Sequence, residues 1–449
     1  MPSLEPVAPT NAEVASVDRE HVFHSWSAQL LINPMPVAGG AGCEFWDHEG
    51  NRWLDFSSQL VNLNLGHQHP KVIAAIVEQA QRLCTVAPSF ANQTRNEAAR
   101  LISAHAPDGL DRVFFTNGGA EATENAIRMA RAHTGRSKVL AAYRSYHGGT
   151  AAAMALTGEP RRWGSEPSIS GVVHFHGPYP YRSSFGATSD QEEADRAIAH
   201  LAEVIQFEGP ELVAAIILET IVGTNGILIP PDGYIAGVRE ICDRHDILMV
   251  ADEVMAGFGR TGNWFAVNEW GVTPDLMTMA KGLTSSYLPL GAVAMRHGIA
   301  EQFETKMFYG GLTYSSHPVS LAAALATISV YEEDGLIENA RRLGPVMRAH
   351  HERLAAKHPS VGATRNLGLF GIIDLVRSHD PWTPMTPFNG TSDEMKAVGR
   401  FLRDNDVYTL IANNSIHTNP PLCITEDELA HGFEIIDAAL DIADQAVTD

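Results

Sequence analysis

The 449-residue chain contains no apolar stretch near the ~20 residues needed to cross a bilayer. Its start, Met1 to Asn11, shows no basic segment leading into an apolar run, so no secretory leader is expected. Basic residues are also scarce: 32 Lys and Arg stand against 53 Asp and Glu, a net charge of −21. Such a surface argues against nucleic acid and membranes as partners, although one pocket can still be locally positive. Cysteine is sparse as well. Cys43, Cys84, Cys242 and Cys423 form no CxxC pair, which excludes a disulfide framework and fits a reduced, cytoplasmic protein. His174 and His176 have no companion ligands in sequence, so no metal is expected. There is no Walker loop and no GxGxxG fingerprint, which disfavours ATP and NAD. No repeat or low-complexity tract is present.

What is present has the length of two domains sharing a large core. Residues Met1 to Thr10, with three prolines, are expected to be loose. Glu44 to Asp55 reads as a hairpin around the turn cluster Asp47 to Asn51. Short apolar runs predict strands at Val113–Phe115, Val139–Ala142, Val213–Leu218, Ile247–Ala251, Leu276–Met279 and Ala292–Met295. Helical patterns at Ala120–His133 and Tyr234–His245 fall between them, which implies an α/β fold with a mainly parallel sheet. Pro178–Glu193 reads as a surface loop. Beyond it, a helix at Ser320–Asp334, another around Leu343–Lys357, a strand at Phe370–Val376, a proline-marked loop (Pro381, Pro384, Pro387) and a helix from Glu426 suggest a smaller α/β domain. The expected division is 1–60 as an N-terminal segment, 61–318 as the large domain and 319–449 as the small one.

Three motifs lie where predicted strands end, which is where ligands bind in open α/β sheets. Phe115-Thr116-Asn117-Gly118-Gly119-Ala120 ends a strand and starts a helix. Free N–H groups there, with glycine allowing close approach, suit a phosphate; an ordinary tight turn would look the same. The run Ile247 to Gly262 delivers Asp252 and Glu253 to a strand end. A carboxylate beside a heteroaromatic nitrogen keeps that nitrogen protonated, while a solvated acidic pair is the plainer alternative. The run Asp275 to Gly282 ends in Lys281, which a desolvated setting would make a Schiff-base amine and a surface setting would leave idle. Phosphate, ring nitrogen and aldehyde are the three partners that pyridoxal 5′-phosphate needs, and the motifs supply one for each.

From about Trp46 to its end the chain resembles the class III, or ω-, aminotransferases of the fold-type I pyridoxal-phosphate superfamily. The most specific stretches are ADEVMAGFGRTG and PDLMTMAKG. The resemblance implies a seven-stranded large domain and a homodimer, or a tetramer, with shared active sites. It implies that Lys281 carries the cofactor and Asp252 holds its ring nitrogen. Tyr146, followed by His147, would cover one face of the ring and Val254 the other. Gly118, Gly119 and Ala120 would bind phosphate, with Ala120 standing where the family often has serine. Thr313 would reach the neighbouring subunit's phosphate, and Glu219 would lie near the ring. Thr220 replaces a usual proline. By family position Trp26, Leu60, Val61, Pro88 and Thr224 would line the substrate pocket.

The implied activity moves an amino group from an amine or ω-amino acid to pyruvate or 2-oxoglutarate by ping-pong half-reactions, leaving pyridoxamine phosphate between them. The taurine and amine:pyruvate branches look most similar. Many members clamp a carboxylate with an arginine before a C-terminal Pro-Pro-Leu, yet Thr409–Leu422 contains none. Arg162 is then the first expectation for the anion, with Arg161 and Arg182 as alternatives. A mutase or decarboxylase of the same family, or a binder of the cofactor without turnover, remain rival readings.

Overall fold

The computed structural model describes residues 9–448; the segment expected to be loose lies, up to residue 8, outside them. Strands β1 (Gly39–Ala41), β2 (Glu44–Trp46) and β3 (Arg52–Asp55) form an antiparallel meander. The expected hairpin is β2–β3. Its turn is tied by the Asp47 carboxylate, which accepts the N–H groups of Glu49 and Asn51, each at 2.9 Å.

The central sheet holds β4 (Arg112–Thr116), β5 (Lys138–Ala142), β6 (Val172–Phe175), β7 (Val213–Glu219), β8 (Leu248–Asp252), β9 (Leu276–Met279) and β10 (Gly291–Met295). Their order is β4-β10-β9-β8-β7-β5-β6. Only β10 runs against its neighbours. Alternate side chains serve opposite faces. Leu140, Ile216 and Leu218 pack under the helices Asp190–Glu208 and Tyr234–His245. Val139, Ala215 and Ile217 pack under Gly119–Thr134 and Ala151–Leu156. Cover on both faces explains why β7, β9 and β10 are buried along their whole length. In register, Glu219 lies opposite Asp252, and Asp252 opposite Thr278. The ends of β7, β8 and β9 are therefore level, and Lys281 follows β9 by two residues.

After the buried helix Pro318–Glu333, the chain forms β11 (Val361–Leu367), β12 (Phe370–His379), β13 (Trp382–Pro384), β14 (Val407–Tyr408), β15 (Ile411–Ala412) and β16 (Ser415–Thr418). The sheet order is β11-β12-β16-β15, with β13 on β12. Strand β14 instead joins β3 in parallel, so the N-terminal meander is completed from the far end of the chain. One apolar cluster runs from Phe56 and Phe115 through Leu321 to Leu440. Among the described residues no helix is long and apolar enough to cross a membrane.

Three sequence expectations are corrected, and one strand escaped the sequence. Strand β6 was not anticipated: it is a short edge strand, mostly half-buried, with a histidine inside it. The Pro178–Glu193 loop ends early, because Ser189 caps a helix that starts at Asp190. The proline-marked loop contains β13. The helix expected from Leu343 begins at Leu336, after left-handed Gly335, and runs through Pro345, which Gly344-Pro345 disguised as a breaker.

Candidate active site

At the end of β4 the helix Gly119–Thr134 starts without a side-chain cap. The Glu121 carboxylate accepts the Asn117 N–H at 2.8 Å, but no hydrogen bond is made by the N–H groups of Gly119 or Ala120 among the described residues. A sixteen-residue helix with an open positive end is suited to an anion. Close approach requires glycine here. A Cβ on Gly119 would lie 3.0 Å from Val254, and one on Gly148 only 2.5 Å from the Ala120 Cβ. The helix start, Val254 and the segment carrying Tyr146 and His147 thus converge.

Asp252, at the end of β8, is 3% exposed. Its Oδ1 accepts the Val254 N–H at 3.1 Å, and its Oδ2 lies 2.7 Å from Nδ1 of buried His147. With an ionised carboxylate, His147 donates through Nδ1; its Nε2 is buried without a partner. Glu219 ends the adjacent β7. Its two oxygens accept the N–H groups of Tyr146 (2.7 Å) and Gly223 (2.8 Å), while burial pushes its carboxyl up from the usual range.

Glu253 is no partner in this. It accepts from the Thr220 hydroxyl (2.7 Å) and from the N–H groups of Ala266 (2.8 Å) and Val267 (2.9 Å). Burial pushes its pKa up to about 6. The acidic pair is not solvated, and Thr220, unexplained in the sequence, is the hydroxyl that steadies Glu253.

Lys281 has φ +35°, an unfavourable backbone for a long side chain and the kind of outlier found at functional sites. Burial lowers its pKa; Glu219 and Asp252 oppose that shift, and the charge of Arg161 adds to it.

The expected pocket residues divide. The Trp26 ring stands edge-on to Tyr146, with centroids 6.5 Å apart. Leu60 is exposed, but neighbouring Val61 is buried against Ile221 and Met255. Pro88 is exposed, and its carbonyl accepts from Arg95 at 2.6 Å. Thr224 lines a cavity of about 360 Å³ with Glu159, Arg144 and Arg365. Thr313 is exposed and makes no hydrogen bond among the described residues.

Arg162, the first expectation for the anion, is engaged by other groups in the chain. Its Nε pairs with Glu166 at 2.8 Å without hydrogen-bond alignment, and its Nη1 meets the Thr157 carbonyl and His174. Arg161 instead lies 3.7 Å over the Tyr146 ring. Two adjacent arginines gave the sequence no means of choosing between them. Sequence reading also missed buried Arg260 and the proximity of Cys43 to Cys423 (3.5 Å), whose partners are remote in the chain. His358, Asp441 and Asp444 gather elsewhere, but His358 is already engaged by Asp444 and Asp437.

An uncapped helix start, a buried carboxylate and a desolvated lysine, brought together at the strand ends of a seven-stranded α/β sheet, fit the phosphate, ring nitrogen and aldehyde of pyridoxal phosphate. They define a pyridoxal-phosphate enzyme. The family model "Aminotransferase class-III" matches residues 27–440, and the chain belongs to that family. It is 35% identical to putrescine–pyruvate aminotransferase of Pseudomonas aeruginosa, over 98% of each chain. It is 30% identical to taurine–pyruvate aminotransferase of Bilophila wadsworthia, over 94% of this chain and 96% of that one. Among solved structures, taurine:2-oxoglutarate aminotransferase of Bifidobacterium kashiwanohense, in complex with pyridoxal phosphate and glutamate, superposes with a TM-score of 0.95. It is 38% identical, covering 98% of this chain and 99% of that one. An (S)-enantioselective ω-transaminase of Thermomicrobium roseum gives a TM-score of 0.92 at 34% identity, covering 97% and 100%. The protein is a class III aminotransferase that uses pyridoxal phosphate.

Proposed function

We propose that this enzyme takes the amino group of an amine or ω-amino acid, with taurine and β-alanine as the first donors to try, and passes it to pyruvate or 2-oxoglutarate. The observation that carries this is the level placement of Asp252 and Lys281 at adjacent strand ends, beside an uncapped helix. The named activities of the relatives support the donor and acceptor classes.

When bound, the cofactor supplies an aldehyde to capture amines and a protonated ring to absorb carbanion charge. Lys281 would hold the aldehyde carbon through Nζ. The same Nζ would also carry the proton lost by the donor carbon. Asp252, aligned by His147, would keep the ring nitrogen protonated. Tyr146 and Val254 would confine the ring between them. N–H groups of Gly118, Gly119 and Ala120 would hold phosphate, joined by Thr313 reaching from a neighbouring subunit. Glu219 would fix the Tyr146 backbone near the ring. Trp26, Leu60, Val61, Pro88 and Thr224 would shape the donor's path.

A homodimer fits the exposure of Phe23, Leu30, Leu31, Met307 and Tyr309, each at least 73% exposed in a single chain. The division into 1–60, 61–318 and 319–449, and a cytoplasmic setting, complete the proposal.

Visible absorbance of the purified holoenzyme tests it. The lysine-bound cofactor should give a yellow band that a productive donor bleaches and a 2-oxo acid restores. A band that no amine bleaches would favour a non-catalytic binder. Release of carbon dioxide would favour a decarboxylase, and turnover without any 2-oxo acid a mutase.

A further inference from the structure

We propose that Cys43 and Cys423 are a redox pair: a peroxide oxidises them to a disulfide that locks the N-terminal meander to the segment after β16, and a dithiol reopens it. The lock acts on the endurance of the fold under oxidation, whichever donor and acceptor the enzyme uses.

All four cysteines are free thiols, and 380 positions separate these two. Their sulfurs nevertheless lie 3.5 Å apart, in contact, with no room for an atom between them. Backbone hydrogen bonds hold each side in place. On one side the Cys43 carbonyl accepts the Asp55 N–H at 2.7 Å, and Gly42 and His67 exchange N–H bonds at 3.0 and 2.7 Å. On the other the Leu422 N–H donates to the Asn64 carbonyl at 2.7 Å, and the Asn339 side chain donates to the carbonyls of Leu422 (2.7 Å) and Ile424 (2.9 Å). Gly66, at φ +79°, lies between the two sides. A Cβ there would come 2.5 Å from the Gly42 carbonyl oxygen and 2.9 Å from the Cys423 sulfur. Only glycine lets the segments approach this closely, so the backbone itself brings the sulfurs together.

The two thiols differ. Cys423 is partly exposed, whereas Cys43 is buried, and its hydrogen bond to Cys423 together with that burial pushes its pKa up. Cys43 therefore keeps its proton, and Cys423 meets the oxidant. The Cys423 thiolate attacks one oxygen of hydrogen peroxide. The O–O bond breaks, hydroxide leaves and takes up the proton that Cys423 had lost, and a sulfenic acid remains. The Cys43 sulfur then attacks the Cys423 sulfur. The S–S bond forms, the S–O bond breaks, and the departing hydroxide takes the Cys43 proton as water. Two thiols are oxidised, one peroxide is reduced and two waters form. The sulfurs close to ~2.05 Å as the bond forms. The ring it closes spans most of the chain, and long rings are those in which a cross-link most restricts the unfolded state. The other cysteines are placed differently. Burial pushes the Cys242 thiol up to about 12, and Cys84 donates to the Ala80 carbonyl at 3.2 Å rather than meeting a second sulfur.

The test uses the Cys84→Ser holoenzyme, which lacks the exposed thiol and keeps the pair. It is treated with hydrogen peroxide, the remaining thiols are blocked with N-ethylmaleimide, and the chain is digested and weighed. One peptide should join Cys43 to Cys423, and the intact chain should have lost two hydrogens and two reactive thiols. Dithiothreitol should restore both thiols. The urea midpoint of the oxidised form should rise by about 0.5–1 M and fall back on reduction. A second variant that adds Cys43→Ser should stop at the sulfenic acid, which dimedone traps on Cys423, and should show no rise in midpoint. Absence of the joined peptide, oxidation of Cys423 to a sulfinic acid with Cys43 left free, or a joined peptide without a rise in midpoint would each overturn the proposal.

Discussion

Asp252 and Glu253 adjoin in sequence, yet the pleat sends one carboxylate to His147 and the other to Thr220. Asp252→Asn should keep the fold and the cofactor but lower the half-reaction rate about 100-fold or more, the scale of losing one preorganised electrostatic partner. A near-normal rate constant would remove the proton-holding role. For Glu253 the folded pKa of about 6 exceeds the ordinary value of 4.5. Its contribution to stability is therefore full below about 4.5 and is lost as pH rises through about 6. Thr220→Val deletes a donor to the ionised form, so it should raise that pKa further. The gap in unfolding free energy between variant and wild type, read by denaturant unfolding, should widen from about pH 5 to about pH 8, reaching about 1–3 kcal/mol. A gap independent of pH would show that the hydroxyl does not serve the carboxylate. Lys281 and Asp252 were legible in the sequence because each ends an apolar run, where a charge is out of place. The choice between Arg161 and Arg162 was not, since it depends on which guanidinium meets Glu166 and which meets Tyr146.

Between elements, Arg260 ties three remote parts of the chain. It is fully buried and forms no ion pair among the described residues; burial lowers its pKa to about 10. It donates to Ser58 (3.1 Å) and Asn64 (2.9 Å) near the N-terminal meander, and to the carbonyls of Leu369 (3.2 Å) and Pro420 near β12 and β16. Arg260→Leu leaves those acceptors buried and unpaired. It should cost about 3 kcal/mol or more in denaturant unfolding. A loss below about 1 kcal/mol would mean that water replaces the guanidinium. The sequence announced the interior strands, because burial on both faces makes them continuous apolar runs; β7 is the plain case. It did not announce β6, whose edge position requires less apolar character, nor the pairing of β14 with β3, because two-residue strands have no period to read.

At the scale of the whole molecule, the site is incomplete within one chain if Thr313 serves a neighbour. Exposure of Thr313 beside exposed Tyr314, Tyr309 and Met307 is what a subunit boundary requires. Complementation between two inactive variants tests this directly. Lys281→Ala removes the amine from a chain's own site. Thr313→Asp sets a negative charge against the phosphate of the neighbour's site. Either homodimer should be inactive. In a mixed dimer, one site combines Lys281 from the second variant with Thr313 from the first and is therefore intact, while the other site carries both defects. Random assortment makes half the dimers mixed, each with one good site of two, so co-expression should restore about a quarter of wild-type activity. If Thr313 instead acted within its own chain, each mixed dimer would hold one site lacking lysine and one lacking phosphate affinity, and no activity would return. Light scattering on the same sample gives twice the mass of one chain if the assembly is a dimer. Activity restored together with that mass would place Thr313 across the interface.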